Sequence, residues 1–242
     1  MNVLCVVPAR GGSKRLPGKN IMPIFGKPLI SHTFSHAKSS KLIDKLVCST
    51  DDEKIAAVAE AEGVDVIMRP AEISGDNAAI EDTLRHVSRT LKEKDGWRAD
   101  IVTMLLANVA YRREGLIDET IQKLIDNPSL SSSLSCFKVN QRPEWMFKLE
   151  GPVLKLAGEC KFYRQQDLPD YYLPDGAVIS LRMETLERTE GLSGAYKYLG
   201  DKIGHVIQDR MFGVEVDHPD DVAAAEILLK MMSERDARIK KR

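Results

Sequence analysis

Residues 3–20 read Val3-Leu4-Cys5-Val6-Val7-Pro8-Ala9-Arg10-Gly11-Gly12-Ser13-Lys14-Arg15-Leu16-Pro17-Gly18-Lys19-Asn20. The apolar run Val3–Val7 has the length and β-branched content of a buried strand. Pro8 ends it. The loop that follows carries Arg10, Lys14, Arg15 and Lys19 and no carboxylate. Backbone N–H groups freed by the Gly11-Gly12 pair, a hydroxyl at Ser13 and concentrated positive charge suit a polyphosphate. Known phosphate loops do not describe it. Gly12 to Gly18 is one residue too long for a Walker A loop, and Asn20 stands where that motif needs Ser or Thr. Ala9-Arg10-Gly11-Gly12 does not supply GxGxxG.

Outward from this loop the chain alternates between strand and helix patterns. Strands are expected at 45–49, 65–68, 101–106, 134–139, 176–181 and 212–216. Helices are expected at 28–37, from an Asp51 or Asp52 cap to Glu62, at 78–94, 114–126 and 220–238. Alternation of this kind indicates a mostly parallel sheet with helices on both faces. Residues 141–172 break the rhythm. They hold a hairpin signal at Glu150-Gly151 and many polar and aromatic residues, and read as an excursion serving a subunit contact or the acceptor. One domain over 1–242 is expected.

Bulk properties exclude several classes. The formal net charge is −1, so no nucleic-acid or other polyanionic partner is implied for the chain as a whole. The run at 3–7 is too short to cross a bilayer and lacks the features of a secretory signal, so no membrane partner is expected. Cys5, Cys48, Cys136 and Cys160 form no CxxC pair. They read as free thiols in a cytoplasmic protein.

Downstream, Glu215 and Asp217 lie two residues apart, which on a strand turns both carboxylates to one side. Such a pair suits Mg²⁺, which takes one or two carboxylates plus phosphate oxygens and water. An exposed strand pair, or Asp217 acting as a helix cap, is the alternative. Arg69 follows the third strand, at the carboxyl edge where ligands of open α/β sheets gather. His32 and His36 have helical i, i+4 spacing without HExxH around them, so packing roles are expected. No GxSxG nucleophile pattern occurs.

These residues resemble the acylneuraminate cytidylyltransferase family. The likeness runs from Val7–Asn20 through Gly26-Lys27-Pro28-Leu29-Ile30, Cys48–Asp52, Arg69–Ile73 and Pro174–Ala177 to Val216–Glu226. It implies a three-layer α/β fold of the nucleotide-diphospho-sugar transferase type, and transfer of CMP from CTP to a sugar acid with release of pyrophosphate. It also implies Mg²⁺ on Glu215 and Asp217 and a homodimer. Ala9, Arg10, Gly11, Ser13, Lys14, Lys19 and Asn20 would hold the nucleotide, with Arg69 and backbone near Ala78 reading the base. Arg10, Lys19 and Asp217 would be catalytic. The family's Gln-Pro-Thr-Ser-Pro-Leu-Arg segment is here Leu106–Arg112, its Arg-Gln-x-Leu-Pro segment is Gln165–Pro169 with Arg164 before it, and Asp175 replaces an Asn. The acceptor side is therefore altered. Asn108, Arg112, Lys148, Arg164, Gln165 and Asp175 are its candidates, with Arg113 and Arg142 as further cations. A related nucleotidyltransferase with another acceptor, or a nucleotide-binding regulatory protein without catalysis, is the alternative.

Overall fold

We describe residues 1–158 and 164–239 in a computed structural model. The strands are β1 Val3–Pro8, β2 Pro23–Ile24, β3 Lys27–Pro28, β4 Lys45–Thr50, β5 Asp65–Met68, β6 Ile101–Met104, β7 Ser132–Lys138, β8 Phe147–Glu150, β9 Val153–Leu156, β10 Tyr172–Arg182 and β11 Ile203–Ile207. The α-helices are α1 Leu29–Ser39, α2 Glu53–Ala61, α3 Ile80–Asp95, α4 Leu116–Asp126, α5 Met183–Arg188 and α6 Pro219–Ile239.

Seven strands form one sheet in the order β11-β7-β10-β6-β1-β4-β5. Neighbours run parallel except β10, which lies antiparallel between β6 and β7. The opening strand sits inside the sheet, with β4 on one side and β6 on the other. Its alternation serves two cores. Val3, Cys5 and Val7 pack with side chains of α1, α2 and α4, while Leu4 and Val6 pack with α3 on the opposite face. Burying each such side chain contributes about 1.5–3 kcal/mol, so a run too short for a membrane is well matched to this position.

The carboxyl ends of β1, β4, β5 and β6 share one edge of the sheet. The segments that leave them at 9–20, 51–52, 69–80 and 105–108 meet there. Two carboxylates fix the turn out of β1. The Gly11 N–H donates to Asp51 Oδ1 at 2.9 Å. Asp52 caps α2 by accepting from the Lys54 and Ile55 amides. A Cβ on Gly11 would lie 2.5 Å from Asp52 Oδ2, so only glycine lets the loop pass this cap.

Several expectations need correction. Residues 212–216 form no strand. A short 3-10 turn at Arg210–Phe212 precedes a single bridge between Val109 and Glu215. The strand after the excursion starts at Tyr172 rather than Gly176 and shifts register between Pro174 and Ile179. There, Gly176 takes a φ of 66° beside Glu215. The helices begin at Ile80 and Leu116, two residues later than expected at each site. Strand β11 and helix α5 were not anticipated. The hairpin β8–β9 forms around Gly151 as expected. Cys5, Cys48 and Cys136 are free and buried, and burial pushes the Cys5 and Cys48 thiols up to about 12. Cys160 lies outside the described residues. Among those residues no helix is long and apolar enough to cross a membrane.

Candidate active site

A cleft of about 480 Å³ opens at the shared strand edge, lined by residues of the 8–20 loop, Arg69, Asp76, Ile80, the turn after β6 and Asp217. It gathers what the sequence spread over more than two hundred residues. From the nucleotide set Arg10, Ser13, Lys14, Lys19, Asn20 and Arg69 line it. Gly11 stands behind the wall against Asp51. The Ala9 N–H is spent on Ser49 O. Ala78 follows Asp76 in the segment leading to α3, and its N–H donates to Gly75 O.

Each cation of the loop has a position set by a specific partner. Arg10 Nη1 lies 3.0 Å from Asp76 Oδ1, and Lys14 Nζ pairs with the other oxygen of the same carboxylate. Lys19 Nζ lies 2.5 Å from Asp217 Oδ1, with Arg15 Nη1 3.8 Å from Asp217 Oδ2. Asn20 is buried and its amide donates to Arg10 O at 3.0 Å, which closes the loop on itself. Arg69 donates to Ser49 O at 2.8 Å, while its buried Nε has no hydrogen-bond partner. Burial pulls its guanidinium below the ordinary value.

Glu215 and Asp217 come together although no strand presents them. The bridge at Val109 and the Val216 N–H bond to Asn108 O hold the segment extended. Asn108 Nδ2 sits between the carboxylates, 3.4 Å from Glu215 Oε2 and 3.2 Å from Asp217 Oδ1. The two acids are tuned apart. Burial, then the charge of Asp217, raises the Glu215 carboxyl above its ordinary range. Burial also pushes Asp217 upward, but the Lys19 hydrogen bond and charge, with Asn108 and Arg15, bring it below its usual value. Lys19 and Arg15 pair with Asp217 and not with Glu215. Two carboxylates bridged by a neutral amide fit one hard cation that completes its shell from phosphate and water. Among the described residues no cluster of three or more acidic, His or Cys ligands exists.

The acceptor candidates fare differently. Asn108 belongs to the carboxylate pair. Arg112 is fully buried and donates to the Ala177, Val109 and Leu106 carbonyls and to Thr33 Oγ1 at 2.7–3.1 Å, so it clamps the protein's own turn and cannot clamp an acceptor. Burial brings it down to about 10, with Cys5, Asp175 and Glu215 pulling the other way. Asp175 is also buried and accepts from Ser135, Gln208 and the Ala177 N–H. Arg142 ties the root of the excursion to Pro169 O and Asp170, and Arg113 pairs with Glu119. Lys148 pairs with Glu150 on the exposed hairpin. Arg164 and Gln165 are exposed on the excursion. None of these three lines the cleft. A second cleft of about 340 Å³ lies on the far side of Glu215, against Phe137, Leu173 and Val214, with Asp175 and Asp221 and no Lys or Arg. Asp76, central to the first cleft, was missed. It sits in an ordinary polar turn and shows itself only through Arg10 and Lys14. His32 bonds Ile24 O and His36 packs edge-on against Tyr111, as packing residues do.

A sequence profile described as Cytidylyltransferase matches residues 4–170. The chain belongs to the cytidylyltransferase family. It is 30% identical over 227 residues to the N-acylneuraminate cytidylyltransferase of Streptococcus agalactiae serotype V, covering 91% of this chain and 52% of that protein. The chain thus spans about half the length of the first such relatives. Over nearly full lengths, 97% and 99%, it is 28% identical to the CMP-N,N'-diacetyllegionaminic acid synthase of Legionella pneumophila. The fold matches that of CMP:2-keto-3-deoxy-manno-octonic acid synthetase solved with CTP, with TM-score 0.74, 20% identity and coverage of 96% of this chain and 100% of that one. The cytidylyltransferase fold is therefore the mixed three-layer α/β arrangement expected.

Proposed function

We propose that this cytidylyltransferase moves CMP from CTP to a hydroxyl of a sugar acid of the nonulosonate type. One observation carries the reading. Four loop cations and Arg69 line one cleft, and Asn108 and Asp217, which line it too, are joined to Glu215 through the Asn108 amide. In the reaction the acceptor oxygen bonds to the α-phosphorus and the bond to the β-phosphate oxygen breaks. Pyrophosphate leaves, and the hydroxyl proton passes to water. Arg10, Ser13, Lys14 and Lys19 hold the triphosphate and meet the charge that grows on the leaving group. Arg69 binds on the base side, and Asn20 keeps the loop in shape. Glu215 and Asp217 would hold Mg²⁺, which supplies charge neutralisation at the phosphates. Lys19, next to Asp217, links the phosphate contacts to this pair.

The relatives named for sialic, legionaminic, pseudaminic and 3-deoxy-manno-octulosonic acids support a sugar acid as acceptor. Pyrophosphate release from CTP, measured with Mg²⁺ across these four acids, tests the reading. Turnover with at least one is expected. Tight CTP binding without turnover on any would favour the regulatory protein. The hairpin exposes Phe147, Leu149, Val153 and Leu154, which supports a homodimer formed through the excursion. Light scattering should show twice the 27.0 kDa chain mass. Three buried free thiols support a cytoplasmic setting.

A further inference from the structure

Asp76 lies on the 74–79 segment at the mouth of the nucleotide cleft and takes both Arg10 and Lys14. Its carboxylate is held below the ordinary range chiefly by the Lys14 hydrogen bond. The segment's backbone bonds are local, Ser74 to Ala71 and Ala78 to Gly75. Asp76 is thus its tie to the cationic loop. Across the cleft Asp217 does the same for Lys19 and Arg15. All four loop cations are therefore paired within the chain, two to each carboxylate. A triphosphate needs those same donors.

We propose that Asp76 is a built-in stand-in for a nucleotide phosphate. It holds Arg10 and Lys14 in place at the cleft and must give them up when a polyphosphate binds, so it sets nucleotide affinity by competition. Exposed ion pairs are weak, so the exchange is easy, yet the carboxylate still opposes the ligand. The inference rests on the nucleotide reading of the cleft, but its test needs no turnover and no metal.

Binding of CTP and of inorganic tripolyphosphate is measured by calorimetry in EDTA for the wild type, Asp76→Asn and Glu72→Gln. Glu72 is an exposed acid on the same connection that lines no part of the cleft. Asp76→Asn should bind both ligands roughly fivefold more tightly, with the gain shrinking as salt rises. Glu72→Gln should change affinity less than twofold. Weaker or unchanged binding by Asp76→Asn would overturn the proposal, as would an equal gain from Glu72→Gln, which would mark a general field effect. Wild-type binding of tripolyphosphate but not CTP would instead count against the nucleotide assignment, while the Asp76 comparison would still be read on tripolyphosphate.

Discussion

The two sides of the carboxylate pair use arginine and lysine in opposite ways. On the proposed nucleotide side Arg10, Lys14, Arg15 and Lys19 line one cleft and pair with two half-exposed carboxylates, Asp76 and Asp217. On the proposed acceptor side Arg112 is buried and spends its donors on backbone carbonyls and Thr33, while Arg142, also buried, ties Pro169 O to Asp170. A cation bound to a mobile anion is available chemistry. A cation bound to the backbone is architecture, because taking its donors away would leave buried carbonyls unsatisfied. Donor binding is written in the first style. The second cleft, with Asp175, Glu215 and Asp221 and apolar walls, has no Lys or Arg among its lining residues.

The sharpest way to break this contrast is at Arg112. Replacing it with Met removes the donors of three carbonyls and Thr33, and should destabilise the fold by on the order of 3–5 kcal/mol. The melting temperature should drop by about 10 °C. Its neighbour Arg113 makes a half-exposed pair with Glu119, and Arg113→Ala should cost at most about 1 kcal/mol. Similar losses at 112 and 113 in thermal melts would refute the architectural role.

Lys19→Ala tests the other side. The lysine side chain is 18% exposed and pairs with Asp217, at the triphosphate in the proposed complex. Losing its charge-assisted bonds should cut kcat/KM at least about tenfold with little change in melting temperature. Near-normal turnover would remove it from the chemistry.

A smaller effect is expected at Glu215, and its sign is informative. Burial raises this carboxyl in the folded chain, so the folded state holds its proton more tightly than the unfolded one. Stability contributed by the protonated group is present below the ordinary carboxylate value and lost as pH rises through the raised one. At neutral pH the ionised side chain is therefore a burden on the fold. Glu215→Gln should raise the melting temperature by a few degrees at pH 7, with the gain fading below pH of about 4, while Mg²⁺-dependent activity falls. A melting temperature that drops at pH 7 would show that Glu215 is a structural acid.

How much of this was legible follows from the same physics. The opening strand, its loop and the helix cap at Asp52 are local patterns, where spacing and residue type suffice. The Glu215 and Asp217 carboxylates do come together, though not on a strand. Extended backbone at 215–216, held by Val109 and Asn108, turns both acids one way. Arg112 and Arg113 are adjacent and identical in type, and sequence offers no means to tell the buried one from the exposed one. Burial there is decided by Thr33 and Ala177, from distant parts of the chain. Asp76 was hidden for the same reason, since its meaning lies in Arg10 and Lys14.

The smallest expected effect concerns Lys148, an acceptor candidate whose charge is neither buried nor at the cleft. It pairs with Glu150, as does Lys155, so the hairpin supplies its own counter-ion. Exposed pairs of this kind contribute about 0–1 kcal/mol, so Lys148→Ala should shift the melting temperature by at most about 4 °C and leave the acceptor KM within about twofold. The measurement is worth making because the reason for the null is geometric: Lys148 lines neither cleft of its own chain. A large rise in acceptor KM, with CTP affinity unchanged, would require that a second copy present its hairpin to the cleft. The acceptor side would then owe its missing positive charge to dimerisation, and the contrast between the two sides would be one between a site built within a chain and a site completed across two.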